Sequence, residues 1–135
     1  FLYGTLWSII IYKNGPARID VDGETIHDGM LTMAALANGC YFGGGMKLSP
    51  HSSMDDGLME LVLLKSMNKL TLFANLARIY RGTHLKHPKI SVHPARKVTV
   101  HTDRNKPLLL EMDGETPGVT PLRFSILPKA LRILC

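Results

Sequence analysis

Apolar and polar positions change period several times along the chain, and each change marks an element. Residues 17–21 alternate, the mark of a half-buried strand, and Asp22-Gly23 then supplies a tight hairpin turn. The chain resumes near Thr25 and Ile26 before a second turn signal at Asp28-Gly29. Turns this short imply antiparallel pairing. Two near-continuous apolar runs, residues 30–37 and 58–64, have strand rather than helix length and predict central strands.

Between residues 69 and 81 the period lengthens. Leu70, Phe73, Leu76, Ala77 and Tyr80 recur at three- and four-residue steps, Asn68 is placed to cap the first turn and Gly82 to end the last. This predicts a helix with that apolar row facing the core. A weaker helical segment is predicted over residues 2–12, stopped by Asn14-Gly15-Pro16. After Gly82 come short alternating segments at residues 90–93, 97–101, 108–112, 122–127 and 131–134, separated by Pro and Gly. Turns every 8–12 residues favour a sandwich or open barrel over a doubly wound sheet, which needs helices between its strands. The expected fold is therefore mainly β, of the α+β class, an antiparallel β-sandwich with one or two helices.

Composition narrows the class. At 135 residues, 45% hydrophobic and 20% charged, the chain fits one domain over residues 1–135 with enough apolar side chain for a core, which excludes intrinsic disorder. Cys40 and Cys135 are too few for a disulfide scaffold. The apolar stretches are broken well short of the roughly 18–20 residues of a spanning helix. The start at Phe1, with no initiator Met and no leader, suggests a piece of a longer protein.

Charge is polarised. Residues 65–106 hold ten of the sixteen basic residues and one acid, Asp103, a net +9, whereas the remaining six basic and ten acidic residues net −4. A region of this kind seeks anions, either phospholipid headgroups or nucleic-acid phosphates, unless it is only a solvated face. Four histidines, His84, His87, His93 and His101, share the segment. Only His84 and His87 have ligand-like spacing, and no further pair completes a tetrahedral zinc set.

Three short motifs could carry chemistry. Tyr41-Phe42-Gly43-Gly44-Gly45-Met46-Lys47 lacks the spacing of a phosphate loop and reads better as a glycine-built corner. Asp55-Asp56-Gly57 sets two carboxylates before an apolar strand, either as oxygen ligands for a hard cation or as a plain turn. Glu111, Asp113 and Glu115 surround a strand end, where a carboxylate can act as a general base; Asp22-Gly23-Glu24 repeats the tripeptide Asp113-Gly114-Glu115, so both can also be hairpin tips. No nucleophile-elbow signature accompanies the Ser, His and Asp residues.

Taken in order, Asn38-Gly39, Tyr41-Phe42-Gly43-Gly44-Gly45-Met46, Pro50, Asp55-Asp56-Gly57-Leu58, Arg81-Gly82-Thr83-His84-Leu85-Lys86-His87-Pro88, Met112-Asp113-Gly114-Glu115, Arg123-Phe124 and Leu127-Pro128-Lys129-Ala130-Leu131 resemble the C-terminal domain of the soluble bacterial lipid kinases, relatives of diacylglycerol, sphingosine and ceramide kinases. The resemblance covers essentially the whole chain. It implies a substrate-side domain of an enzyme that transfers the γ-phosphate of ATP to a diacylglycerol-like hydroxyl, with ATP held mainly by an absent N-terminal domain and the isolated chain inactive. By position it implies that Glu115 is the general base and that Asp56, with the carbonyls of Ser53 and Leu58, binds Mg²⁺. His51-Ser52-Ser53 departs from the acidic or alanine-containing segment common at that point.

The implied partners are a lipid substrate, ATP, an anionic membrane met peripherally from the cytoplasm and, as a further candidate, a second copy in a homodimer. The chief alternative is a non-catalytic module that binds anionic lipid through residues 65–106; another is a purely structural β domain. Nucleic acid is disfavoured because Phe73 and Tyr80, the aromatics of that segment, are expected to face the core.

Overall fold

The structure, a computed structural model, describes residues 13–112 and 115–130. The predicted segments at residues 2–12 and 131–134 lie outside the described residues. β1 (Gly15–Val21) and β2 (Glu24–Ala37) form a hairpin, followed by β3 (Met59–Lys65), helix α1 (Lys69–Tyr80), a 3₁₀ turn (His84–Lys86), β4 (Ile90–Ala95), β5 (Lys97–His101), β6 (Leu109–Met112), β7 (Glu115–Val119) and β8 (Leu122–Ser125). Six strands make one antiparallel sheet in the order β4-β3-β2-β1-β5-β8, and β6 with β7 makes a separate ribbon.

The length of β2 creates the sandwich. Its first half pairs with β1 and its second half with β3, with register shifts on both sides of the changeover. Ala17, Ile19, Val21, Val98 and Val100 from the β1 and β5 half share one buried cluster with Leu61, Leu63, Met59 and Ala95 from the β3 and β4 half. The sheet therefore folds over on itself, which buries both inner faces together. On the other face of β3, Val62 and Leu64 join Leu48, Met67 and Ile90 beneath α1, whose Leu72 and Ile79 pack there. Strand β3 is thus sandwiched, which is why it reads as a near-continuous apolar run, interrupted only by Glu60.

Several expectations change. Asp28-Gly29 is not a turn: both residues pair across β1, with Arg18 and Ala17, and Gly29 takes φ +151 without a Cβ to obstruct it. The run at residues 58–64 is displaced by one, and the strand at residues 90–93 extends to Ala95, carrying Pro94 on the sheet edge where no ladder donor is needed. Strand β7 was missed because Thr116-Pro117-Gly118 reads as a loop.

The helix ends at Tyr80 with Arg81 as its C-cap and Gly82 at φ +68, while the Asn68 side chain accepts the Thr71 N–H at 2.8 Å. Its orientation is the larger correction. Leu70, Phe73 and Tyr80 face solvent, and Leu72 and Ile79 face the sheet. Apolar residues occupy more than one flank of α1, so the period alone does not select the buried one. Asn75 is buried because its amide is satisfied within the helix, donating to the Thr71 carbonyl at 2.8 Å.

Candidate functional site

The loop leaving β2 first makes a small corner. Phe42 and Met46 exchange backbone hydrogen bonds of 2.8 and 3.0 Å around Gly44 and Gly45, at φ +63 and +84. No helix follows in residues 47–58, so the glycines build a corner and set no helix N-terminus beneath a phosphate. Farther on, the buried Ser49 hydroxyl donates to the Glu60 carboxylate and ties the loop to β3.

Asp55, Asp56 and Gly57 come next. Asp56 Oδ1 accepts the Leu58 N–H at 2.8 Å, Gly57 turns at φ +73, and the Ser53 hydroxyl donates to Asp55. A Cβ on Gly57 would lie 3.6 Å from Pro128, so the loop rests against the segment after β8. Both carboxylates are exposed. Ser53, Asp56 and Leu58 therefore share one loop whose donors are all oxygen, the chemistry a hard cation takes. Among the described residues no group of three or more His, Cys, Asp or Glu converges, so a cation here would draw on carbonyls and water as well.

Glu115 lies elsewhere. It is the exposed first residue of β7, paired with Met112 at the outer end of the ribbon. The inner end is fastened: Thr120 N–H donates to the Leu108 carbonyl and Leu108 N–H to the Thr120 hydroxyl, each at 3.0 Å, and the Thr102 and Thr120 hydroxyls bond to each other. No hydrogen bond or ion pair among the described residues joins Glu115 to the Asp56 loop. Asp113 lies outside the described residues. The other copy of the tripeptide is a structural turn: Asp22 accepts the Lys97 N–H at 2.8 Å and the Arg96 N–H at 3.2 Å, while Glu24 closes the hairpin opposite Val21.

A cleft of about 580 Å³ opens where the two halves of the sandwich part, lined by Leu36, Asn38, Met59, Arg123, Phe124 and Leu127 among others. Sequence reasoning gave Arg123 no role. Its signals were a charge placed in an alternating strand and its place in the Arg123-Phe124 pair of the resemblance.

Residues 1–135 match the family described as the YegS C-terminal NAD kinase beta sandwich-like domain. The chain belongs to that family. It is 30% identical over 121 residues to a diacylglycerol kinase of Staphylococcus carnosus, a match covering 89% of this chain and 38% of that protein. It is 29% identical over 121 residues to a diacylglycerol kinase of Mycobacterium tuberculosis, covering 88% and 38%. A solved diacylglycerol kinase structure from Bacillus anthracis superposes with a TM-score of 0.73 at 20% identity, over 93% of this chain and 42% of that one. The chain thus spans about two fifths of the length of these relatives.

In this YegS-type domain the two closely spaced histidines serve different ends. Buried His84 lies within hydrogen-bond distance of the Leu48 carbonyl through Nε2, at 3.0 Å, whereas His87 Nδ1 accepts the Lys89 N–H at 3.1 Å. They do not form a metal pair. Burial holds the His84 imidazole below its usual range, against the smaller opposing effect of the Leu48 carbonyl, and Nδ1 is buried without a partner. His93 is lowered too, by burial and by the charge of Lys65. A proton on either ring is therefore bound more tightly in the unfolded chain. Their contribution to stability is complete above the unfolded value near 6.5 and is lost as pH falls through that value toward the folded one. Urea midpoints between pH 7.5 and 5.5 should decline, and His84→Gln, which keeps a donor for Leu48, should flatten that decline while leaving the His93 share. An equal slope in the variant would remove His84 from this role.

Proposed function

We propose that this chain is the substrate-side domain of an ATP-dependent lipid kinase that phosphorylates a diacylglycerol-like hydroxyl. The observation that most supports this reading is the family match across residues 1–135, together with an exposed carboxylate, Glu115, at the end of a ribbon fastened at its base. In the proposed reaction Glu115 accepts the proton of the lipid hydroxyl as its oxygen attacks the γ-phosphorus. The new P–O bond forms, the bond to the β-phosphate bridge breaks, and ADP leaves with that electron pair. ATP would be held mainly by the part of the protein beyond this chain.

Mg²⁺ at the Asp56 loop would neutralise the two adjacent carboxylates and fix the loop against Pro128. Asp56 would contribute a carboxylate oxygen, and Ser53 and Leu58 their carbonyls. Titrating Mg²⁺ into the full-length protein is therefore expected to raise its thermal midpoint, and Asp56→Asn should reduce that rise while Asp55→Asn, the fallback ligand, reduces it less. Identical titrations for parent and Asp56→Asn would remove the site.

The enzyme reading is tested by incubating the full-length protein with labelled ATP, Mg²⁺ and diacylglycerol in mixed micelles. Labelled phosphatidate is the expected product. Lipid binding without any product would favour a non-catalytic anionic-lipid module, which would use the same cationic segment. Among the described residues no helix is long and apolar enough to cross a membrane. Contact with lipid in this reading is peripheral, through exposed Lys65, Arg81, Lys86 and Lys89.

A further inference from the structure

Helix α1 presents apolar residues to solvent that the sandwich does not use. Leu70 is 83% exposed, Phe73 58% and Tyr80 38%, and with exposed Ala77 they follow the i, i+3, i+7, i+10 row of one face. The opposite flank is already satisfied, with Leu72 and Ile79 packed over β3. A helix apolar on its outer face normally has a partner there.

Charge identifies the partner. Exposed Arg78 and Arg81 lie on α1 or at its end, exposed Lys65, Lys86 and Lys89 lie in the segments that flank it in the chain, and in residues 65–106 the sole acid is Asp103, in the loop after β5. At the helix C-terminal end, Lys47 N–H donates to the Ile79 carbonyl at 3.1 Å and its ammonium stands 5.8 Å from the centre of the Tyr41 ring, which is 66% exposed. An exposed apolar row on a helix flanked by cations, with a cation–aromatic pair at its C-terminal end, matches a lipid surface whose headgroups are anionic and whose acyl boundary lies just beneath. A second copy docked face to face would set these cations against their own copies. Nucleic acid would leave Leu70, the most exposed member, with no base to stack on.

We infer that α1 docks this domain on anionic membranes, with Leu70, Phe73 and Tyr80 entering the acyl boundary and the flanking Lys and Arg resting on phosphates. The inference rests on the peripheral-membrane part of the proposed function and adds an apolar contact that electrostatics alone does not supply. Binding should then have two components. The cationic one is screened within about 8–10 Å at ordinary ionic strength, and the apolar one persists in high salt.

The experiment is flotation of the full-length protein with phosphatidylglycerol–phosphatidylcholine vesicles at about 0.1 M and about 1 M salt, without ATP. The parent should retain measurable binding at high salt. Replacing both Leu70 and Phe73 by Ser should weaken the remaining binding by about 100-fold or more, each large apolar side chain being worth roughly tenfold or more. Leu70→Met with Phe73→Leu should restore it. Circular dichroism should be unchanged in both, since the two side chains lie outside the core. A benzoylphenylalanine introduced in place of Phe73 should photo-crosslink to lipid. Loss of all binding at high salt in the parent would overturn the inference while leaving electrostatic association intact. Unchanged binding of the Ser variant, or crosslinks to a second copy, to another segment of the protein or to nucleic acid, would overturn it as well. Because no turnover is measured, a failure of the kinase reading alone would not alter the result.

Discussion

Glu115→Gln in the full-length protein is expected to lower kcat for lipid phosphorylation by about 10²–10⁴-fold, the usual contribution of a general base. Gln keeps the shape and much of the hydrogen-bonding capacity of Glu, and position 115 is exposed at the end of β7, so folding should be unaffected. KM for ATP should change little, because the nucleotide is expected to be held elsewhere in the protein. Glu24→Gln is the matched control. Glu24 also follows an Asp-Gly pair, but it closes a hairpin whose Asp22 is occupied by the Arg96 and Lys97 amides, so its replacement should be silent. Equal kcat for Glu115→Gln and parent, measured as phosphatidate formed at saturating ATP, would sink the assignment and leave residue 115 as a ribbon end.

The second large effect is on stability. Leu61 is fully buried on β3 among the residues that join the two halves of the sandwich, with Val62 facing the helix layer on the opposite side. Leu61→Ala removes contacts from both halves at once and leaves a cavity, with an expected loss of about 2–5 kcal/mol in urea-derived unfolding free energy. Leu70→Ala is the contrast. At 83% exposure it should shift unfolding by no more than about 0.5 kcal/mol. A Leu61 effect below about 1 kcal/mol would mean that the fold-over of the sheet is not the principal core.

Both expectations depend on where tertiary structure placed residues the sequence had already marked. The apolar runs at residues 30–37 and 58–64, the Asp22-Gly23 hairpin, and the helix between its Asn68 cap and Gly82 stop were legible, because period, turn chemistry and capping act over a few residues. The mainly β class followed from them. The ordered motifs from Asn38-Gly39 to Leu127-Pro128 carried the family resemblance for a similar reason, since Gly57 and Gly82 stand at positive φ where a side chain would be strained.

Pairing across distance was not legible. Asp28-Gly29 carries a strong local turn signal, yet Arg18 and Ala17 opposite it hold the strand straight. Strand β7 carries Pro117 and Gly118, which oppose a strand locally, and forms because β6 offers it a ladder. Leu70, Phe73 and Tyr80 have the helical period of a core face, and the side of α1 that turned inward was decided by β3 below, which accepts Leu72 and Ile79. The same holds for chemistry. Sequence by itself determined which residue types were available, the carboxylates at 55, 56 and 115 and the cations of residues 65–106. Tertiary structure decided that Asp56 bends over its own loop, that His84 is buried against Leu48, that Glu115 stands at a ribbon end, and that the helix turns an apolar row and its cations outward together. Local preferences are set by neighbours a few residues away, whereas burial and exposure are set by strands that are distant in sequence and meet only when the sheet folds over.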